Sequence, residues 1–318
     1  MSIKLRAAET LVVIVSGLFL GWLAKRRGLA PERAPGITRL TLTYLEPFPT
    51  LLALWGLRAG DARAFLLPLL GAGLIVLMWP VGHLLGRLQR LRERDLGAFV
   101  VGSMFSNVGF TFGTFLCYAL LGERGVALGT LYTASFLPML FTVGLFAAGR
   151  YSPEAGGSSW ELVKDTVKKA ESRNPIAGIL VGLALYAMGV KRPVSAAVAV
   201  DVLVPLTTFI YLFAIGLSMR PRTMLGYWRP AAALHAVKFI VSPALGLALG
   251  LAAGFHHDPS MDLMRVMFIQ SAAPAGIMSM VLCQVRDLNV QLAAACWLAT
   301  NLFAIATVPA WLYIAAAL

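Results

Sequence analysis

The chain of 318 residues is 58% hydrophobic and 13% charged, with a net charge of +12 and a mean hydropathy of +0.77. Soluble globular domains run at roughly 45–50% apolar and about 25% charged, so that class is excluded and the chain reads as a polytopic membrane protein. Its basic residues lie in short loops between apolar runs, where they determine topology rather than bind nucleic acid.

A hydrocarbon core about 30 Å thick needs about 20 apolar helical residues, and ten candidate spans follow: 7–24, 37–57, 64–86, 96–120, 125–149, 175–190, 194–218, 230–254, 263–283 and 290–317. The first, Leu11 to Leu23, is followed by Lys25, Arg26 and Arg27 with no small-residue cleavage site, so it is expected to be retained. Span two carries Glu46 in "YLEPFP". This carboxyl is either a proton carrier beside prolines that free backbone carbonyls, or a fixed partner for a nearby hydroxyl or basic group. His83, near the inner end of span three, is expected at the interface.

Span four contains "GSMFSNVGFTFG", Gly102 to Gly113, where glycines and the polar pair Ser106 and Asn107 interrupt an apolar segment. Residues 151–174 form a linker in which Trp160, Val163, Val167 and Ala170 recur at helical spacing opposite Lys164, Lys168 and Lys169. That pattern fits a short helix lying on the inner leaflet or a solvated linker helix. Asp201, in the outer part of span seven, is expected to cap the chain or pair with Lys191 or Arg192. His235 and Lys238 are three apart on span eight and share a face. Lys238 either snorkels to the inner interface or supplies a cationic counter-charge, attracting an anionic substrate or standing in for a coupling cation. Span nine holds Gln270, Ser271, Pro274 and Gly276.

Assigning Lys and Arg to alternate loops places eighteen on one side and eight on the other, with Lys238 within a span. The bias puts both termini outside and the central loop in the cytoplasm. Five spans on each side of that loop make the second half enter inverted, as in inverted-repeat transporters. The halves match: "VGSMFSNVGFTFG" is echoed by "FIQSAAPAGIMSM", with Ser103 against Gln270 and Gly109 against Gly276, each 167 apart. The expected fold is therefore all-α: ten transmembrane helices in two inverted five-helix repeats, residues 1–150 and 175–318, with broken helices four and nine crossing.

An unwound stretch in hydrocarbon survives only where it packs on protein or lines a cavity. Two that cross near the midplane bring the partly positive N-termini of half-helices to one polar site, which suits an anion. Ser106, Asn107, Gly109, Gln270, Ser271, Pro274 and Gly276 are the substrate-site candidates; Glu46, Lys238 and His235 are the candidates for coupling or counter-charge. The bland alternative is close helix packing through small residues.

"GLFLGWLAKRRGLAPERAPGITRLTLTYLEPFP", "SNVGFTFGTFLCYALLGERGVAL", "NPIAGILVGLAL", "FAIGLSM" and "QSAAPAGIMSMVL" together resemble the auxin efflux carrier family of membrane transport proteins over essentially the whole chain. The resemblance implies the ten-span fold shared with the bile acid:sodium symporters and an elevator arrangement, in which spans 3–5 and 8–10 carry substrate past a scaffold of spans 1, 2, 6 and 7. It also implies export or uptake of small carboxylates across the cell (inner) membrane and a homodimer through the scaffold. Two departures stand out: Thr114 where the family often has proline, and Met278 where it often has asparagine. They predict a softer first break and more apolar recognition from the second half.

The expected function is secondary transport of a small organic anion, coupled to protons or running as a uniport, with no cofactor and no metal. Sodium coupling, as in the bile acid symporters, and a non-transporting sensor are the alternatives. An intramembrane enzyme would need a set such as H-E-x-x-H or G-x-S-x-G, and neither occurs. His256, His257 and Asp258 read as a polar outer loop, and Cys117, Cys283 and Cys296 have no metal or redox spacing.

Overall fold

A computed structural model describes residues 3–57, 62–152, 169–219 and 226–318. Among them secondary structure is helical, with a single isolated antiparallel bridge between Ser106 and Ala275. Of the predicted linker at 151–174, residues 153–168 lie outside the described residues, while Ala170, expected in the linker helix, begins the helix Ala170–Ala187.

The first half begins with α1 (Ile3–Arg26), followed by α2 (Ala34–Leu40), a π turn (Thr41–Leu45) and α3 (Pro47–Trp55). The π turn has a local cause: Pro47 has no amide to give Thr43, four residues back. The freed Thr43 carbonyl accepts from Asn174 Nδ2 at 2.9 Å instead. Next come α4 (Leu67–Leu88), α5 (Glu93–Met104), α6 (Gly113–Leu121), α7 (Glu123–Thr133), α8 (Phe136–Met139), a second π turn (Leu140–Gly144) and α9 (Leu145–Gly149). The second half comprises α10 (Ala170–Ala187), α11 (Ser195–Ser218), α12 (Trp228–Ala236), a third π turn (Val237–Val241), α13 (Ser242–Ala252), α14 (Asp262–Ser271), α15 (Met278–Val285) and α16 (Val290–Ala317).

Among the described residues, six helical runs are long and apolar enough to cross a membrane: Ala8–Arg26, Ala62–Leu88, Glu123–Gly149, Ser195–Ser218, Trp228–Ala252 and Val290–Ala317. The other four predicted spans differ for identifiable reasons. Those at 96–120 and 263–283 are each split into two half-helices, that at 37–57 is divided by the π turn, and α10 begins with the charged residues Glu171 and Arg173. Large apolar side chains face outward, Val194 at 88% exposure and Tyr313 at 77%, the arrangement expected where the surroundings are lipid rather than water.

Small residues bring helices close, as membrane packing requires. A methyl group added to Gly21 of α1 would lie 2.1 Å from the Phe213 carbonyl oxygen on α11, and one on Gly216 of α11 would lie 2.2 Å from that of Leu18. Similar contacts join Gly178 and Gly182 of α10 to the backbone of Pro47 and Leu51 on α3. The buried apolar residues form two main clusters, one holding Phe105 and Ala275 and the other Val108, Phe110 and Ala273. The breaks after α5 and α14 lie at their seam.

Candidate functional site

Residues 105–112 and 272–277 interrupt the two broken helices, and each break satisfies the other. The Asn107 amide donates to the Pro274 carbonyl at 2.7 Å and the Gly276 amide to the Phe105 carbonyl at 2.9 Å. Backbone groups that would cost several kcal/mol if left unpaired in hydrocarbon are thus paired across the crossing. The approach demands glycine at 276, where a Cβ would sit 2.8 Å from the Ser106 carbonyl oxygen. Gly109 has open space around its Cα, so its place in the break does not come from crowding.

The N-terminal ends of the second half-helices are partly capped already. Gly113 and Thr114 of α6 donate to the carbonyls of Asn107 and Val108, while the amides of Ser279 and Met280 in α15 go to Gly276 and Ile277. These ends therefore present their dipoles rather than a row of open amides. Thr114 also donates its hydroxyl to the Val108 carbonyl at 2.9 Å, a tie within the break where the sequence has no proline.

Asn107 is buried, donates through Nδ2 to Asn301 Oδ1 at 3.1 Å and accepts at Oδ1 from the Thr111 hydroxyl. Asn301 in turn donates to the Ala275 carbonyl at 2.9 Å, and Thr300 Oγ1 accepts from the Ala275 amide at 3.2 Å. The second break thus takes polar groups from α16, which the reading of Met278 as a sign of apolar recognition missed. Thr208 of α11 adds a further tie, donating to the Phe110 carbonyl at 2.8 Å. Thr300 and Asn301 were the available signal: two adjacent polar residues in mid-span.

Gln270 is fully buried, but its side chain turns to the other side of the α6 terminus, where Nε2 lies 3.3 Å from both Thr114 Oγ1 and the Gly129 carbonyl. Its Oε1 is buried without a partner. Ser271 donates to the Phe268 carbonyl at 3.0 Å, within its own helix, and Pro274 contributes its carbonyl to the crossing. Ser106 is partly exposed and lines a cavity of about 20 Å³ with Tyr132, Ser135 and Ser242, room for about one water molecule.

Lys238 does not snorkel. It is wholly buried, and Nζ donates to the Ser103 carbonyl at 2.7 Å and to Ser106 Oγ at 2.8 Å. His235 does not share its surroundings: Nδ1 lies 2.6 Å from the carbonyl of Ala231 in its own helix, and the ring packs against Phe239 and Phe303. The π turn that begins at Val237 separates the two. Glu46 accepts a hydrogen bond from the Tyr211 hydroxyl of α11, the hydroxyl partner its sequence allowed. Asp201 accepts from Tyr118 at 3.1 Å, whereas Arg192 pairs with Glu123 of α7, Nη2 to Oε2 at 2.9 Å, correcting the expected Asp201 pairing. His83 Nδ1 lies 2.8 Å from the Tyr151 hydroxyl. Among the described residues no cluster of three or more His, Cys, Asp or Glu is placed to hold a metal ion.

The arrangement offers a polar crossing within apolar helices, with the buried amine of Lys238 against it. The sequence is similar to an uncharacterized transporter of Methanocaldococcus jannaschii, 24% identical over 237 residues that cover 73% of this chain and 72% of that protein. The family pattern described as membrane transport protein matches residues 6–312. With that match spanning nearly every helix described above, the chain belongs to this family, the auxin efflux carriers, and is a membrane transporter.

Proposed function

We propose that the protein is a secondary carrier that moves a small organic anion, such as a carboxylate, by elevator-type alternating access. In this reading the ten spans form two inverted five-helix repeats. Spans 3–5 and 8–10 carry the crossing past spans 1, 2, 6 and 7, and a homodimer forms through that scaffold. The eighteen-to-eight distribution of basic residues supports both termini outside and the central linker, 151–174, in the cytoplasm. The observation that carries the reading is the mutual backbone pairing of the two breaks at Ser106 and Ala275, next to the buried ammonium of Lys238.

Proton coupling or uniport is favoured over sodium coupling. Purified protein in liposomes, given a panel of labelled small carboxylates under a proton gradient, a sodium gradient or a membrane potential alone, tests the proposal. Saturable flux of one anion that ignores the sodium gradient is expected. Binding of a panel member without flux under any gradient would instead indicate a sensor.

A further inference from the structure

Span eight reaches both breaks with two side chains one turn apart. Lys238 caps the carbonyl end of α5 through the Ser103 carbonyl, and Ser242 caps that of α14 by donating to the Ser271 carbonyl at 2.6 Å. The last carbonyls of a helix have no partner within it and carry partial negative charge. One end is met by a hydroxyl and the other by the amine of a lysine. The π turn Val237–Val241 holds Lys238 and leads directly into Ser242; such wide turns recur at functional sites.

The repeat spacing of 167 that aligns Ser103 with Gln270 puts Gly71 opposite Lys238, so the cation belongs to one half alone. Among the described residues the ion pairs join Arg94 to Asp287, Arg124 and Arg265 to Asp262, and Arg192 to Glu123. Among these residues no carboxylate pairs with Lys238. A buried amine held by a carbonyl and a hydroxyl has two of the oxygen ligands that a bound cation would take, and its charge is costly to keep in an apolar interior.

We propose that the Lys238 ammonium is a resident cation: it fills, by covalent attachment, a cation position formed by the Ser103 carbonyl and the Ser106 hydroxyl at the α5 end of the crossing. No alkali ion is then required at that position, and the positive charge stays with the crossing as it moves. A monoanion bound beside Ser106 would be neutralised by the protein itself. The inference rests on the carrier reading only in this last consequence.

The test compares thermal unfolding of the wild type, Lys238→Ala and Lys238→Met in choline, sodium, potassium and propylammonium chlorides. Propylammonium restores the atoms that the alanine substitution removes. Lys238→Ala is expected to gain about 2 °C or more from propylammonium or an alkali ion over choline, beyond any shift in the wild type or Lys238→Met. A response in Lys238→Ala no larger than in the wild type would overturn the proposal. Should Lys238→Ala be recovered only when propylammonium is present throughout extraction, the requirement itself meets the expectation. If it fails to fold even then while Lys238→Met folds, lost volume rather than lost charge is responsible and the proposal fails. Absence of flux alongside the expected salt response would count against the carrier and not against the resident cation.

Discussion

At the crossing, single atoms decide what is tolerated. Gly276→Ala would drive a methyl group to 2.8 Å from the Ser106 oxygen and 3.0 Å from its carbonyl carbon, both backbone atoms with little freedom to move. A loss of about 1–3 kcal/mol is expected, whereas Gly109→Ala, with nothing within 4 Å, should stay within about 0.5 kcal/mol of wild type. Thermal unfolding of the solubilised protein distinguishes the two, and equal effects would show that the break is not tightly apposed. Asn301→Ala removes the donor to the Ala275 carbonyl and the acceptor for Asn107, and should cost about 1–3 kcal/mol by the same measurement. Ser106, Asn107 and Gly276 were legible in the sequence because polar and helix-weakening residues stand out in an apolar run. Asn301 and Thr300 were not singled out because α16 continues unbroken through them, and a pair of polar residues without a break resembles ordinary interhelical hydrogen bonding.

Elements show a different division. The positions of both breaks could be read from Gly102, Gly109, Gly113, Pro274 and Gly276, yet the way the breaks pair depends on where two distant helices meet, which no local spacing encodes. The π turns were equally hidden. Pro47 accounts for the first, and Pro243 stands at the same offset past Val237–Val241, without an amide to give Phe239; the effect of that turn is to send His235 and Lys238 to different neighbours although a regular helix would align them. The Arg192–Glu123 pair, 69 residues apart, ties the segment before α11 to the start of α7, and Arg192 also donates to the Leu52 carbonyl at 2.8 Å. At 15% and 25% exposure the pair is partly shielded from water, so a double-mutant cycle of Arg192→Gln and Glu123→Gln should return a coupling of about 1 kcal/mol or more. Additive losses would mean that the two side chains only happen to be adjacent. In the proposed elevator this contact joins scaffold to moving domain and must open in each cycle.

For the molecule as a whole, composition alone established a membrane protein, and the family match over residues 6–312 agrees with the resemblance carried by its motifs. Span count was harder to read, because hydropathy windows score apolar content and a split helix scores like a continuous one. The proposed orientation rests on the positive-inside bias, and it predicts that a single cysteine placed near residue 6 is labelled by an impermeant maleimide from outside the cell, while one near residue 90 is labelled only after permeabilisation. The reverse pattern would invert the proposed topology. The central claim is that the crossing is where an organic anion is carried. Its most direct test is the initial rate of carboxylate flux into liposomes for Asn107→Ala against wild type, at matched protein content and with folding verified by unfolding temperature. Loss of the buried Asn107–Asn301 bond predicts a rate about tenfold lower, the equivalent of about 1.4 kcal/mol. An unchanged rate in well-folded protein would place the transport path elsewhere.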